Sequence, residues 1–336
     1  MEHKQDKTIF AMKEISKVKA YINHSLESII SENAILKKLR HPLISNLYYS
    51  FHDKENLYLV LDYLSGGNLR YYISEHTHFN DSQVKFFISC TILSIEYIHK
   101  NNIIHRDLKP ENLLFDSEGY IHVTDFGISR EKKEGLEITD ISGTPGYISP
   151  EVIIGKPQNE TSDFFSIGII TYELIFGKRP FEGNNKKEIA DSLLNTRINL
   201  DKHSIPKDFS PEVADFINRL LQRKNHQRLG SRGIDEIKNH DWLEDVDWQG
   251  IEEKLMDITQ MPFIPVLRDQ DKNIIDSTEK KKIDKYNNIL QKLNREDYFN
   301  NFYFRFDDAN RKKRNNYSLD EDEDVDNREN SFNKRL

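Results

Sequence analysis

Three side chains of different chemistry fall within six positions of the stretch IIHRDLKPENLLFD (Ile103–Asp116): the carboxylate of Asp107, the ammonium of Lys109 and the amide of Asn112. Transfer of a phosphoryl group to a hydroxyl asks for that set. An anionic oxygen accepts the proton of the attacking hydroxyl, a cation offsets charge on the moving phosphoryl, and an oxygen ligand helps hold Mg2+. Asp107, Lys109 and Asn112 fit those needs in that order. A second signature, Thr124-Asp125-Phe126-Gly127, puts Asp125 eighteen residues beyond Asp107, and each signature follows an apolar, strand-like run.

The elements that must hold these residues can be read from periodicity. Thr8 to Glu14 and Asn56 to Tyr63 read as strands, the second alternating Leu57, Leu59 and Leu61 against Tyr58, Val60 and Asp62. Between them Leu26, Ile29, Ile30, Asn33, Leu36 and Leu39 recur at helical spacing, and His41-Pro42 ends that run. After Gly66-Gly67 the pattern changes to an apolar helical stripe, Val84, Phe87, Ile88, Ile92, Ile95 and Ile98, followed by another apolar helix at Asp163 to Phe176. The reading is an α+β protein with a small β-rich lobe over residues 1–64 and a large helical lobe over 65–242. From Trp242 the apolar period weakens, Pro262 and Pro265 punctuate an extended stretch, and an aromatic cluster stands at Tyr298 to Phe306, so 243–306 reads as an extension. The remainder, 307–336, holds a basic block (Arg311 to Arg314) and an acidic one (Asp320 to Asp326) with few apolar residues, and disorder is expected there.

Composition narrows the class. With 336 residues and 37% hydrophobic content the chain can bury one large core or two modest ones. The net charge of -8 argues against a general nucleic-acid binder, and seven acidic residues against one basic in Asp320 to Glu329 place much of it in the tail. The single cysteine, Cys90, sits among apolar helical neighbours and is expected to be a buried thiol. No apolar run marks a signal peptide in MEHKQDKTIF, and none approaches the ~18 residues of a membrane span. A monomer in the cytoplasm or nucleus is expected.

HRDLKPEN followed by TDFG resembles the catalytic loop and metal-binding motif of eukaryotic protein kinases, two specific signatures in the right order. The resemblance implies a bilobal protein-kinase-like fold that uses ATP and Mg2+ to phosphorylate protein substrates. In it Asp107 is the catalytic base, Lys109 meets the γ-phosphate, and Asn112 and Asp125 are the metal ligands. FAMK, Phe10 to Lys13, looks like the strand ending in the lysine that grips the α- and β-phosphates, paired with Glu32 nineteen residues on. Leu61 corresponds to the residue at the back of the nucleotide pocket, Asp62 to Leu64 to the hinge that meets adenine, and Leu36, Leu47, His105 and Phe126 to the apolar column joining the lobes.

SGTPGYISPE, Ser142 to Glu151, resembles the end of an activation segment, with Ser149 where the family usually has Ala. Thr144 implies serine/threonine specificity through contact with the catalytic Asp and Lys, Glu151 implies an ion pair with Arg228, and Asp163 implies an anchor for the catalytic loop. PFIP (Pro262 to Pro265) and FNNFYF (Phe299 to Phe304) look like the C-terminal extension of AGC kinases, whose aromatics dock on the small lobe. Tyr303 stands where that group often has a phosphorylated Ser or Thr. GGNLRYYI, Gly66 to Ile73, most resembles the YANK subfamily. Asp140 occupies the place of an activating phosphothreonine, facing Arg106 and Arg130, while Thr139 and Ser142 are the alternative sites of phosphate. Glu111 and Glu173 match acidic positions that receive substrate arginines, with Asn68 in place of a third, so one arginine near the target is expected.

One departure stands out. The family covers the nucleotide phosphates with a glycine-rich hairpin before the FAMK strand, yet the first glycine here is Gly66 and only twelve residues precede Lys13. The small lobe is therefore expected to be N-terminally incomplete, upstream sequence lying beyond Met1 being favoured over true loss of the lid. The rival to an enzyme is a kinase-shaped scaffold or pseudokinase lacking efficient ATP turnover. A kinase of small molecules or lipids is disfavoured by the activation segment and the Glu151–Arg228 pairing.

Overall fold

The computed structural model describes residues 1–4, 7–75, 79–267, 289–293 and 299–306. The chain divides into one unit from Met1 to Phe304 and another from Arg305 to Leu336, of which only Arg305 and Phe306 are described. The charged segment 307–336 and Tyr298 thus lie outside the described residues.

The first unit is the expected bilobal α+β fold. Its small lobe opens with a short hairpin in which the Met1 ammonium donates to Phe10 O at 2.7 Å and Phe10 N donates to Met1 O at 2.8 Å. Strand β1 (Phe10–Ser16), helices α1 (Lys17–Ile22) and α2 (Leu26–Lys38), and strands β2 (Leu47–His52) and β3 (Asn56–Asp62) follow. β3 lies between β1 and β2 and is antiparallel to both, with Lys13 opposite Leu59 and Ala11 opposite Leu61. β1 lies two residues later at each end than Thr8 to Glu14. A register shift between Leu47 and Tyr49 blurs the alternation of β2, and six-residue α1 is too short to show a helical period.

The large lobe contains α3 (Leu69–Glu75), α4 (Asp81–Lys100), β4 (Ile103–Ile104), β5 (Leu113–Phe115), β6 (Ile121–Val123), β7 (Arg130–Glu131), α5 (Pro150–Ile153), α6 (Thr161–Phe176), α7 (Lys186–Asn195), α8 (Val213–Leu220), α9 (Asp235–Lys238) and α10 (Trp248–Glu252). A reciprocal cap starts α4: Asn80 Oδ1 accepts from Gln83 N at 3.0 Å, and Gln83 Oε1 accepts from Asn80 N at 3.1 Å. α6 is buried nearly all round, consistent with a sequence that is apolar on every face apart from a few short or paired polar residues, and ends at Gly177, whose φ of 68° suits a residue without a side chain. Two small antiparallel ribbons, β4–β7 and β5–β6, frame the chemistry. The catalytic loop joins β4 to β5, and the Asp125 loop joins β6 to β7, so four short strands fix both signatures at once.

The extension packs on this body. Phe263 is buried among Tyr72, Phe79, Phe87 and Phe115, at centroid distances of 5.0, 6.3, 5.4 and 5.0 Å. Phe299 and Phe302 are buried on the small lobe, where the Lys17 ammonium lies 4.7 Å from the Phe299 ring centre and Asn33 Nδ2 donates to Phe302 O at 3.0 Å. Ser50 also donates to Phe302 O. Cys90 is buried, and burial pushes its thiol up to about 12, the inert state its neighbourhood implied. Among the described residues no helix is long and apolar enough to cross a membrane.

Phe302 is 2% exposed, so Phe302→Ala is expected to cost about 3 kcal/mol of stability. Chemical denaturation of the two proteins checks this; a loss under about 1 kcal/mol would return these aromatics to a loose tail.

Candidate active site

The catalytic loop is built around a carboxylate with no exposed surface. Asp163, near the start of α6, accepts from His105 N at 2.9 Å and Arg106 N at 2.8 Å, and lies 2.7 Å from His99 Nε2. Burial alone would raise its pKa, but the His99 hydrogen bond and the neighbouring donors outweigh that and hold it below the ordinary aspartate value. Both N–H groups belong to a backbone in an uncommon conformation, for Arg106 has φ 72°.

With the loop so held, Asp107 faces Lys109, Asn112 and Thr144. Lys109 Nζ donates to Asp107 Oδ2 at 2.6 Å and to Thr144 Oγ1 at 2.7 Å, and Thr144 Oγ1 donates to Asp107 Oδ1 at 2.7 Å. Asn112 Nδ2 donates to Asp107 O at 2.9 Å and Oδ2 at 3.2 Å. Its amide oxygen has no hydrogen-bond partner among the described residues. Asp125, with φ 62°, accepts from Gly127 N at 3.3 Å through Oδ1. These are hard oxygen donors of the kind Mg2+ takes, and both residues fit that ion.

Across the cleft Lys13 Nζ donates to both carboxylate oxygens of Glu32, at 2.8 and 3.0 Å. Burial raises the pKa of Glu32 above its ordinary value, and nearby Asp125 adds to the rise, while Lys13 opposes both. Lys13, Glu32, Leu61 and Asp125 line a cavity of about 150 Å³ together with Leu36, Ser45, Thr124 and Phe126. Leu36, Leu47, His105 and Phe126 are all buried, and the His105 and Phe126 ring centres are 5.2 Å apart. Leu64 is buried at the hinge. The Asp62 side chain, by contrast, is committed to structure: it accepts from Asn46 N at 2.9 Å, Asn46 Nδ2 at 2.8 Å and Tyr48 Oη at 2.8 Å.

The activation segment is tied to the same loop. Arg106 Nη2 donates to Asp140 Oδ2 at 2.6 Å and Asp140 O at 3.1 Å, and Arg106 Nε donates to Gln158 Oε1 at 3.1 Å. Gln158 Nε2 returns a bond to Asp140 O at 2.7 Å. Burial raises the Asp140 carboxyl, but hydrogen bonds from Arg106 and Ser142 and the charges of Arg106 and Arg130 prevail and lower it below 3.8. Arg130 thus acts through charge; the direct contact is Arg106. Gly143 can follow only as glycine: its φ is 125°, and a Cβ there would stand 3.0 Å from Arg106 O. Further along, Arg228 donates to both oxygens of Glu151 at 2.7 and 2.9 Å, and both side chains are buried.

Glu111 and Glu173, expected to receive a substrate arginine, both contact the chain's own Arg70. Asn68 instead caps α3, its Oδ1 accepting from Tyr71 N at 2.9 Å. Arg70, Gln158 and Tyr147 are site residues that spacing does not reveal, since each meets partners across long stretches of chain; Asn46 meets nearer partners, but through a turn and a strand pairing that no sequence period marks.

A two-lobed fold that gathers Asp107, Lys109, Asn112, Asp125 and the Lys13–Glu32 pair around one cleft has the side chains that phosphotransferases acting on hydroxyl groups require. The protein kinase domain family matches residues 1–243, and the chain belongs to that family. Its relatives place it among the serine/threonine kinases of the AGC group. Serine/threonine-protein kinase sgk-1 of Caenorhabditis elegans is 36% identical over 271 residues, covering 80% of this chain and 57% of its own. Protein kinase 2 of Dictyostelium discoideum is 35% identical over 268 residues, covering 79% and 54%. The cAMP-dependent protein kinase catalytic subunit of the same organism is 34% identical over 272 residues, covering 80% and 40%. The chain spans about half the length of the curated relatives it matches.

The Arg106 side chain is 1% exposed and that of Asp140 48%, so Asp140→Ala leaves a buried guanidinium with neutral partners only. Amide exchange of residues 138–144, corrected for intrinsic rate, is expected to rise severalfold in this variant and much less in Arg130→Gln. Because the Asp140 pKa is lowered on folding, its contribution is complete above 3.8 and is lost as pH falls through the folded value. The difference between wild type and Asp140→Ala should hold constant from about pH 8 to 5 and shrink only in more acidic solution; a difference that changes within that neutral range would remove the carboxylate from this role.

Proposed function

We propose that this protein transfers the γ-phosphate of ATP to serine and threonine hydroxyls of protein substrates. The observation that carries the reading is the triangle of Asp107, Lys109 and Thr144, closed at 2.6, 2.7 and 2.7 Å. A substrate hydroxyl brought to this triangle gives its proton to Asp107 as its oxygen attacks the γ-phosphorus. The bond to the β–γ bridging oxygen breaks and ADP departs, while Lys109 offsets charge on the phosphoryl oxygens. Thr144, held by both, registers the activation segment against the base.

Members of the family use ATP and Mg2+. Here Asn112 and Asp125 would hold the metal, which when bound neutralises phosphate charge and orients the γ-phosphate. Lys13, aligned by Glu32, would hold the α- and β-phosphates, with Leu61 behind the base and the backbone of Asp62 to Leu64 beside it. The reading extends to a monomer in the cytoplasm or nucleus and, through Gly66 to Ile73, to a YANK-like branch of the AGC group. Glu111 and Glu173 do not select a substrate arginine in this reading, for Arg70 already contacts both.

Asp107→Asn removes the proton acceptor and leaves the nucleotide contacts in place. Phosphate incorporation into a serine-containing protein substrate should fall by a factor of about 100 or more while Mg-ATP affinity, by calorimetry, stays within about twofold. Turnover near wild type in this variant would take Asp107 out of the role of base, and absence of phosphate transfer by the wild type would favour the scaffold.

A further inference from the structure

Arg70, in the first turn of α3, inserts its guanidinium into an acidic corner beside the catalytic loop. Its Nε donates to Glu111 Oε1 at 2.8 Å, its Nη1 to Glu173 Oε1 at 2.9 Å and its Nη2 to Glu173 Oε2 at 3.1 Å, and Nη2 also bonds Tyr147 Oη. The tyrosine in turn donates to Glu173 Oε2 at 2.5 Å. Glu111 is four residues from Asp107 in the catalytic loop, and Tyr147 is three from Thr144. The corner therefore borders the place where a substrate hydroxyl would meet Asp107, and its two carboxylates are what a basic peptide side chain would seek.

Both oxygens of Glu173, whose side chain is 6% exposed, are already engaged. An arriving arginine must displace Arg70 or accept the outer oxygen of Glu111, whose side chain is 42% exposed and screened by solvent. Displacement is disfavoured because Arg70 is tethered, at an effective concentration of the order of millimolar or above, and because like charges repel. The fit is also geometric, a planar fork on a carboxylate. The neighbouring charges hold the Arg70 pKa above its ordinary value despite burial, so the guanidinium stays charged.

We propose that Arg70 is a specificity-determining residue that fills this acidic subsite from within the chain, so that the protein acts on serine and threonine in peptides without an arginine there. The inference rests on the phosphotransfer reading above for its word substrate. Fluorescein-labelled peptides with a central serine, carrying arginine or alanine at each flanking position in turn, test it in two ways: anisotropy reports binding to the full chain, and phosphate incorporation reports transfer. Wild type should favour arginine over alanine by less than about twofold at every position, while Arg70→Gln, which leaves the two carboxylates without their cation, should gain about fivefold or more for arginine at one position. Arg70→Lys keeps a charge against Glu173, and so protects the fold should Arg70→Gln not survive. It should show a smaller gain at the same position. Strong arginine selection by wild type overturns the proposal without any variant, and so does a folded Arg70→Gln or Arg70→Lys with no gain. The expected binding pattern without phosphate transfer would instead sink the phosphotransfer reading and leave the assignment of Arg70 standing.

Discussion

Asp163 has no exposed surface, yet it is the group from which the catalytic centre hangs. Its two oxygens take the consecutive N–H groups of His105 and Arg106, fixing the direction of the chain as it enters the loop. From that fixed point Arg106 turns towards the activation segment and Asp107 towards the cleft, with the left-handed φ of Arg106 splitting the two directions. A residue other than glycine in that conformation costs about 1–3 kcal/mol, and the bonds to Asp163 are what keeps it there. His105, just before the split, is held from its other side by Phe126 and by Thr124 O, 3.1 Å from its Nε2. One buried carboxylate thereby aligns Asp107, the loop of Asp125 and the segment that carries Asp140.

The ion pairs that fasten the activation segment are placed for position more than for stability. A buried pair such as Glu151–Arg228 loses hydration on both sides, and its net contribution to stability is small even when its geometry is good. Here every polar group is satisfied: Glu151 Oε1 also accepts from Ser162 Oγ at 3.0 Å, and Arg228 also donates to Thr161 O at 2.7 Å. A pair with so few alternatives admits one register of the segment against α6. Asp140, half-exposed and held by Arg106, Ser142 and, at its carbonyl, Gln158, fixes the other end less firmly. The segment is thus clamped where it leaves the site and more lightly held where it enters.

What the sequence makes legible follows from how far apart the partners lie along the chain. Asp107, Lys109 and Asn112 act within six positions, and the loop that carries them folds as a unit, so residue types and spacing suffice to read their chemistry. Lys13 and Glu32, nineteen residues apart on a strand and a helix, needed the family resemblance to be paired. Arg70 meets Glu111 and Glu173 across 41 and 103 residues, and nothing local distinguishes it from a solvated arginine on a short helix. The expectation of a substrate arginine came from the match of Glu111 and Glu173, with Asn68 in place of a third acidic residue, to positions of the resembled family, and such a match does not register a cation supplied by another element. Likewise the Asp62 carboxylate, to which the hinge reading of its backbone gave no part, is spent on Asn46 and Tyr48, a tie that depends on how β2 approaches β3. The fold was more readily legible than the site's cross-chain contacts because apolar period is a property of each element by itself. Where that period is broken, as by the register shift in β2, or too short to register, as in α1, the element drops from view.

Helix α2 shows how the far end of the chain enters the chemistry. Glu32 and Asn33 are neighbours in sequence and point about 100° apart around the helix. Glu32 faces the cleft and takes both bonds from Lys13, while Asn33, buried on another face, donates to the carbonyl of Phe302. Lys37, one turn on, donates to Asn301 O and Tyr303 O. The helix is therefore fixed in rotation from two sides, by a lysine on β1 and by a segment 269 residues further along. Turning it enough to release Phe302 would also swing Glu32 away from Lys13, and a buried carboxylate deprived of its cation is costly in a low-dielectric site. The two contacts support each other through a rigid element, which is the physical basis for expecting the aromatic extension to bear on the alignment of Lys13.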